Sequence, residues 1–402
     1  MMNPKWLVDV KSKAKELVDK VPYQQIRDSP SVKYYTDWTR FDKCLDPAQQ
    51  HVTSNVGVTK YQLPPASLLS INGSISTSRI PSNVNAWELS ELGEDKGSLV
   101  LRSMDPSESK ALARHVANLV GGGYVEVLRS PNEPLRIINI ARLEDGVLIP
   151  THYTVVVNDD TELTLILYMI SEPGSNACPS TTMELYLGSN STLNLVVASS
   201  QEASPSYAYI KVMAGENSTV NAWTLLLNGS MNHHREDYVL NGRGARVRHE
   251  GLEIGLGTSR IDYIVNLMHV GESSTSYSRV TGVSKDKSFV IHRGLGRITE
   301  KARWSDTTVE GKVFILNEGS YAASVPIIMV DTGDVNGARH SAADASLDED
   351  QVNYLRLRGI SRDEVIPLII HEVTSRFLGS IPSVLRDDAQ FLRDLITSKI
   401  IT

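Results

Sequence analysis

Five segments share one design: VVVNDDTELTLIL, LYLGSNSTLNLVV, VMAGENSTVNAWT, VLNGRGARVRHEG and MHVGESSTSYSRV each run from a short apolar strand through a polar bend into a second strand. The bends begin at Asn158, Gly188, Gly215, Gly242 and Gly271, at intervals of 30, 27, 27 and 29 residues. A fixed period of this size is the signature of stacked coils, each burying its apolar face against the next. Glycine and asparagine suit the corners, where the chain turns sharply and often with positive φ. Between corners the apolar residues alternate: Leu163, Leu165 and Leu167, then Leu193, Leu195 and Val197, face one core while Thr, Asn and Ser point out. A parallel β-helix accounts for period and alternation together. An antiparallel sandwich or jelly roll gives similar strands without the regular spacing. The repeat weakens after about residue 280, although strand-like runs continue through KSFVIHRG, GKVFILNEG and ASVPIIMVD.

The flanks follow another period. Asn3 and Pro4 open a helix carrying Trp6, Leu7, Val10, Ala14, Leu17, Val18 and Val21 on one face, closed by Pro22. Loop-rich stretches and a second helical run, DPSESKALARHVANLV, lead to Gly121, so residues 1–120 read as a partly helical cap and 121–345 as the β-helix core. From Ser346 helices return and make a docking domain over 346–402. The first runs from about Asp348 to Arg358 and stops at Gly359. Ser361 and Glu364 form a capping box for the second, which carries Val365, Leu368, Ile369, Val373 and Phe377, with Pro367 predicting a kink or a later start. A third carries Leu385, Phe391, Leu392, Leu395 and Ile396. Helices this short need a surface to dock on.

Composition narrows the partners. Forty Lys and Arg against 47 Asp and Glu give a net charge of −7, with no cationic surplus for nucleic acid. The N-terminus alternates charged with apolar residues, which predicts neither a signal peptide nor a membrane anchor and a cytoplasmic protein. Cys44 and Cys178 are the only cysteines. They exclude a disulfide framework, a four-cysteine zinc site and a self-contained iron–sulfur site, and each reads as a buried small hydrophobe. The sequons at Asn72, Asn190, Asn217 and Asn228 carry little weight without secretion. His233 and His234, adjacent on a strand, point to opposite faces and make no metal pair. His249, His269 and His292 read as solvated or packing residues near coil corners, and SKDKSFVIHRGLGRITEKARW as a solvated basic face. GRGAR and RGLGR are corners, and no Walker A sequence occurs.

The junction after the β-structure is more specific. Asp334-Val335, His340, Leu347-Asp348-Glu349, Tyr354-Leu355, Arg358-Gly359-Ile360 and Glu364 resemble the signature of the SufB/SufD family of iron–sulfur cluster assembly proteins. NPKWLVDVKSKAKELVDKVP and KYYTDWTRFD are similar to the N-terminal motifs of its SufD members, so the likeness spans almost the whole chain. Three departures stand out: Ala338 where the family has cysteine, one extra residue between Asp334 and His340, and Ser341 for glycine. The resemblance implies a right-handed parallel β-helix and a noncatalytic scaffold that pairs with a SufB-like paralogue and binds the SufC ABC-type ATPase. It makes His340 a candidate iron or cluster ligand at the subunit interface, with a transient iron–sulfur cluster held there and no cofactor on the isolated chain. Tyr354, Leu355, Arg358, Gly359, Ile360 and Glu364 become the candidate SufC docking region. Nucleotide-driven dimerisation of SufC would then deform the pair and open the interface. On residues alone, His340 could instead be an exposed loop histidine capping the next helix, and the C-terminal helices could cover the open end of the β-helix. The alternatives are a SufB-like homodimer, a purely structural β-helix, or a carbohydrate-active β-helix enzyme, for which the clustered carboxylates are missing.

Overall fold

Local turn chemistry sets the corners. Asp160, Asn190 and Asn217 hold φ of 53°, 56° and 53°, in the left-handed region that Asp and Asn tolerate better than branched residues. The hydroxyls of Ser191 and Ser218 donate to the carbonyls of Gly188 and Gly215 at 2.7 and 2.8 Å. The sequons at 190 and 217 are thus explained as turns.

A computed structural model describes residues 3–23, 35–47, 63–142, 146–201, 204–346 and 349–400. Leu347 and Asp348 of the family signature lie outside the described residues, as does Lys33-Tyr34 of KYYTDWTRFD. In chain order the strands are β1 (Leu68–Ile71), β2 (Ser74–Thr77), β3 (Val84–Glu88), β4 (Gly121–Val127), β5 (Leu135–Ala141), β6 (Leu148–Val157), β7 (Glu162–Ser171), β8 (Cys178–Leu187), β9 (Thr192–Ser200) and β10 (Pro205–Ala214). They continue with β11 (Thr219–Leu227), β12 (Met231–Leu240), β13 (Arg246–Gly255), β14 (Arg260–His269), β15 (Thr275–Ser284), β16 (Phe289–Ile298), β17 (Asp306–Ile315), β18 (Tyr321–Val330) and β19 (Gly337–Ser346). From β4 onward, successive strands alternate between two sheets. One has the order β19-β17-β15-β13-β11-β9-β7-β5-β1-β2, the other β18-β16-β14-β12-β10-β8-β6-β4-β3. All pairings from β5 and β6 onward are parallel. The chain is a two-sheet parallel β-solenoid.

Glu162, Thr192, Thr219, Arg246, Thr275, Asp306 and Gly337 stand in one column. The coils therefore take 30, 27, 27, 29, 31 and 31 residues. The expected fading of the repeat after residue 280 is corrected: two further coils follow, slightly longer and with less regular corners. Leu165, Leu167, Leu193, Leu195 and Val197 are buried in the interior, as their alternation requires.

The N-terminal region is woven into the solenoid. β1 pairs parallel with β5, and β3 pairs antiparallel with β4, which closes that end of both sheets. Trp6, Leu7 and Ala14 of α1 (Lys5–Leu17) bury with Tyr207, Tyr209 and Met231, on the outer face of the second sheet. Four-residue helices α2 (Thr39–Asp42) and α3 (Glu94–Gly97) and the longer α4 (Lys110–Ala117) complete this layer.

The C-terminal helices are α5 (Glu349–Leu357), α6 (Arg362–Ser380) and α7 (Arg386–Ile400). α6 starts ahead of Pro367 and runs through it. Phe377, Phe391, Leu392 and Leu395 pack on Ile166, Tyr168, Trp223 and Leu225, the outer face of the first sheet. Arg136 of β5 grips Asp388 of α7 with two bonds of 3.0 and 2.9 Å, and Tyr168 donates a third at 2.8 Å. These helices clad the flank of the solenoid. The reading in which they cover its open end is corrected, because their apolar faces match the outer sheet surface and not the edge.

The cysteines also need correction. Cys44 and Cys178 are buried, but as a disulfide with Cα atoms 6.1 Å apart. Leu45 makes a parallel bridge with Val147, which carries Cys44 to the start of β8. A separation of 134 positions in sequence said nothing about this proximity.

Candidate interface at the free end of the solenoid

The last coil ends the stack with two free edges. Among the described residues β18 pairs only with β16, and β19 only with β17. Ten-residue strands with one edge unpaired present backbone donors and acceptors to any strand that can align with them. Tyr321, Met329 and Val330 of β18 are exposed, as is Trp304 beside them in sequence order of the preceding corner. This end of the molecule is apolar and unfinished.

His340 lies on β19, exposed, and pairs in register with Val309 of β17. Val309 is fully buried and faces the interior, and ladder partners share a face, so His340 belongs to the inward column at the point where the interior meets solvent. It is a strand residue and not a loop cap. Ala338 and Asp344 share its face, by the period of two. Arg339 points the other way and holds Asp306 at 2.6 and 2.8 Å. A cysteine at 338 would have placed a thiolate on the side of His340; alanine leaves the imidazole without it. Among the described residues no three His, Cys, Asp or Glu side chains gather to hold a metal. A cluster bound at His340 therefore needs ligands from a second chain.

The six docking residues divide into two groups. Gly359 has φ of 87° and closes α5, with the Ile360 N–H donating to Leu355 O and the Gly359 N–H to Arg356 O. Glu364 accepts from the N–H and hydroxyl of Ser361, both at 2.7 Å, and these bonds hold its carboxyl below its ordinary range. Both residues have local structural work in the α5–α6 turn. Tyr354 and Arg358 are exposed, the guanidinium lying over the ring and donating to its hydroxyl at 2.8 Å. Leu357, 88 % exposed, and Leu368, 50 % exposed, extend this surface and were not singled out in the sequence.

A buried polar network inside the solenoid was also missed. On β12 His234, Glu236 and Tyr238 face inward, while His233, Arg235 and Asp237 face outward. Glu236 accepts from Thr224, Tyr238 and Tyr263 at 2.7, 2.8 and 3.1 Å and meets His234 Nε2 at 2.9 Å. His249 links Tyr263 at 2.8 Å to Ser278 at 2.9 Å. Burial opposes ionisation of Glu236, yet hydrogen bonds from His234 and His249 hold its carboxyl below its ordinary range. On the outer face Arg293 clamps Asp262 at 2.8 and 2.7 Å, with Thr36 and His233 against it. His249, His269 and His292 are corrected from solvated to buried positions. Desolvation pushes His292 down to about 3 and His269 to about 4. The available signal was parity: His234, His249 and His292 occupy positions that carry Leu or Val in earlier coils.

The fold and its end define a class: a β-solenoid flanked by helical layers on both outer faces, with a free terminal coil in place of a closed active-site cleft. Residues 140–373 match the family described as SUF system FeS cluster assembly, SufBD core domain, and the chain belongs to that family. It is similar to the iron–sulfur cluster assembly protein SufD of Bacillus subtilis, with 24% identity over 375 residues, 92% of this chain and 83% of that protein. The SufD of Escherichia coli is 22% identical over 284 residues, 70% of this chain and 65% of that one. This is a SUF-system iron–sulfur assembly protein of the SufD type.

Proposed function

We propose that this chain is a noncatalytic scaffold subunit that pairs through its terminal coil with a SufB-like paralogue and binds a SufC-like ATPase through the exposed side of α5 and α6. The observation that carries the reading is the free end: two unpaired strand edges, an apolar rim and His340 on the inward column. A partner coil added there would bury the rim and enclose His340 against ligands of its own, where iron and sulfide meet as substrates of assembly. Neutral imidazole is a competent ligand for iron–sulfur centres. Nucleotide-driven closure of the ATPase would act on α5 and α6 and change the access to that interface. We place the protein in the cytoplasm; no described helix is long and apolar enough to cross a membrane.

Anaerobic coexpression with candidate SufB and SufC partners tests this. A stable complex is expected, in which His340→Ala lowers cluster maturation at least tenfold and leaves assembly intact. Failure to form a complex removes the scaffold reading, and a self-pair in its place supports the homodimeric variant. Unchanged maturation in the variant removes the ligand role of His340.

A further inference from the structure

The last coils hold polar groups that the network around Glu236 does not satisfy. Both carboxylate oxygens of Glu253, both ring nitrogens of His292, Nδ1 of His234 and the hydroxyl of Ser324 are buried with no hydrogen-bond partner among protein atoms. Glu253 and His292 are 0 % and 1 % exposed. Protein interiors rarely leave such groups dry, and ordered water is the usual partner where there is room.

The room comes from missing side chains. Gly282 follows Glu253 in its column, and a Cβ there would lie 3.2 Å from Glu253 Oε1 and 2.9 Å from Val313. A Cβ on Gly311 would collide with the Ser324 hydroxyl and approach the His292 ring at 3.1 Å. Glycine at these two strand positions keeps open the space that the polar atoms border. Register gives that space a direction. Tyr263, His292 and Ser324 form one inward column, and Glu253, Gly282, Val313 and Asp344 another. Both run from the buried network to the free coil, the second ending at Asp344 on the face of His340.

We propose that Glu253, His292 and Ser324 line an internal chamber, opening toward the free end of the solenoid, whose ligand is water and which exchanges protons with solvent through that end. The neighbouring ionisable groups fit a site that stores protons in neutral acids and bases. His292 faces His249 and Tyr263 within the interior and has Arg293 behind it. Desolvation, with the charge of Asp262 behind it, keeps the proton on Glu253 well above the ordinary carboxylate range. The chamber stands without the assembly reading; only its service to the face of His340 rests on that reading.

Infrared spectroscopy of the full-length protein at pH 7 reads the chamber directly, with deuterium oxide as the probe. A buried protonated carboxyl gives a carbonyl band above the amide region, identified here by its loss in Glu253→Gln. In a hydrated chamber this band shifts within seconds of transfer to deuterium oxide, at least a hundredfold ahead of the slowest core amides. Gly282→Ala, which crowds Glu253 Oε1, slows the shift tenfold or more. If that variant does not fold, the wild type and Glu253→Gln still decide between wet and dry. Absence of the band means an ionised, paired carboxylate; a shift no faster than the core amides means a dry one; fast exchange untouched by Gly282→Ala puts the water elsewhere. Each of these overturns the proposal. None involves iron, so failure here is distinct from failure of the assembly reading.

Discussion

The two halves of the solenoid interior use the same backbone for opposite ends. Between β5 and β9, inward positions at mid-strand carry Leu165, Leu167, Met183, Leu185 and Leu195, all fully buried. Between β12 and β18 the same parity carries His234, Glu236, His249, Glu253, Ser278 and His292. Backbone pairing is continuous across both, so the polar half inherits its order from a ladder that the apolar half stabilises. Apolar burial drives folding in proportion to area, while unpaired buried polar groups oppose it. A solenoid tolerates this division because each coil leans on its neighbours.

Three perturbations test how far the halves differ. The largest effect belongs to the bridge from Cys44 to Cys178, at the start of β8 in the apolar half. It closes a loop of 134 positions, and chain entropy gives its loss about 5 kcal/mol. Urea unfolding of Cys44→Ser beside the oxidised wild type measures this; equal midpoints mean that the bridge is not formed in solution. Next, Leu195→Ala in the apolar half should cost about 2–5 kcal/mol through lost transfer energy and the cavity left behind. A cost well under 1 kcal/mol would mean that the apolar half is as loosely packed as the polar one, and the contrast collapses.

The smallest effect is pH-dependent and confined to the polar half. His292 titrates near 3 when folded against an ordinary 6.5. Between those values the unfolded chain binds the proton and the folded chain does not, so stability falls as pH drops from 6.5 toward 3. His292→Phe removes this contribution and should be less acid-sensitive than wild type by about 2 kcal/mol at pH 5. The other buried histidines act in both proteins and cancel in the difference. Parallel pH profiles would show that His292 is already protonated or exposed in the folded state.

The parts of this architecture legible in the sequence are those with local or periodic causes. The corners from Asn158 to Gly271 and the alternation of Leu163 to Val197 follow from turn chemistry and the two-residue period, and the register reproduces their spacing. The α5–α6 turn follows from Gly359, Ser361 and Glu364. The rest depends on distance. Cys44 meets Cys178 only because Leu45 bridges Val147, a pairing between regions with no common periodicity. His292 stands in HRGLGR, whose glycines suggest a corner, while its parity with Val290 puts it inside. Strands β1 to β3 have four or five residues each, too short to show a period. For His340, the motif located the junction, and register alone placed the imidazole on the inward face.

The free edge also sets an order of events. The strands are stacked in the order in which they are made, so a chain growing from its N-terminus can complete the apolar coils first and template each later one on its predecessor. β18 and β19 come last, and the adhesive end does not exist until nearly the whole solenoid is built. Premature pairing of half-made subunits is thereby limited by the direction of synthesis. A finished chain without a partner, however, exposes two strands ready to add to any other edge, which makes matched supply of the two subunits a solubility requirement as well as a functional one.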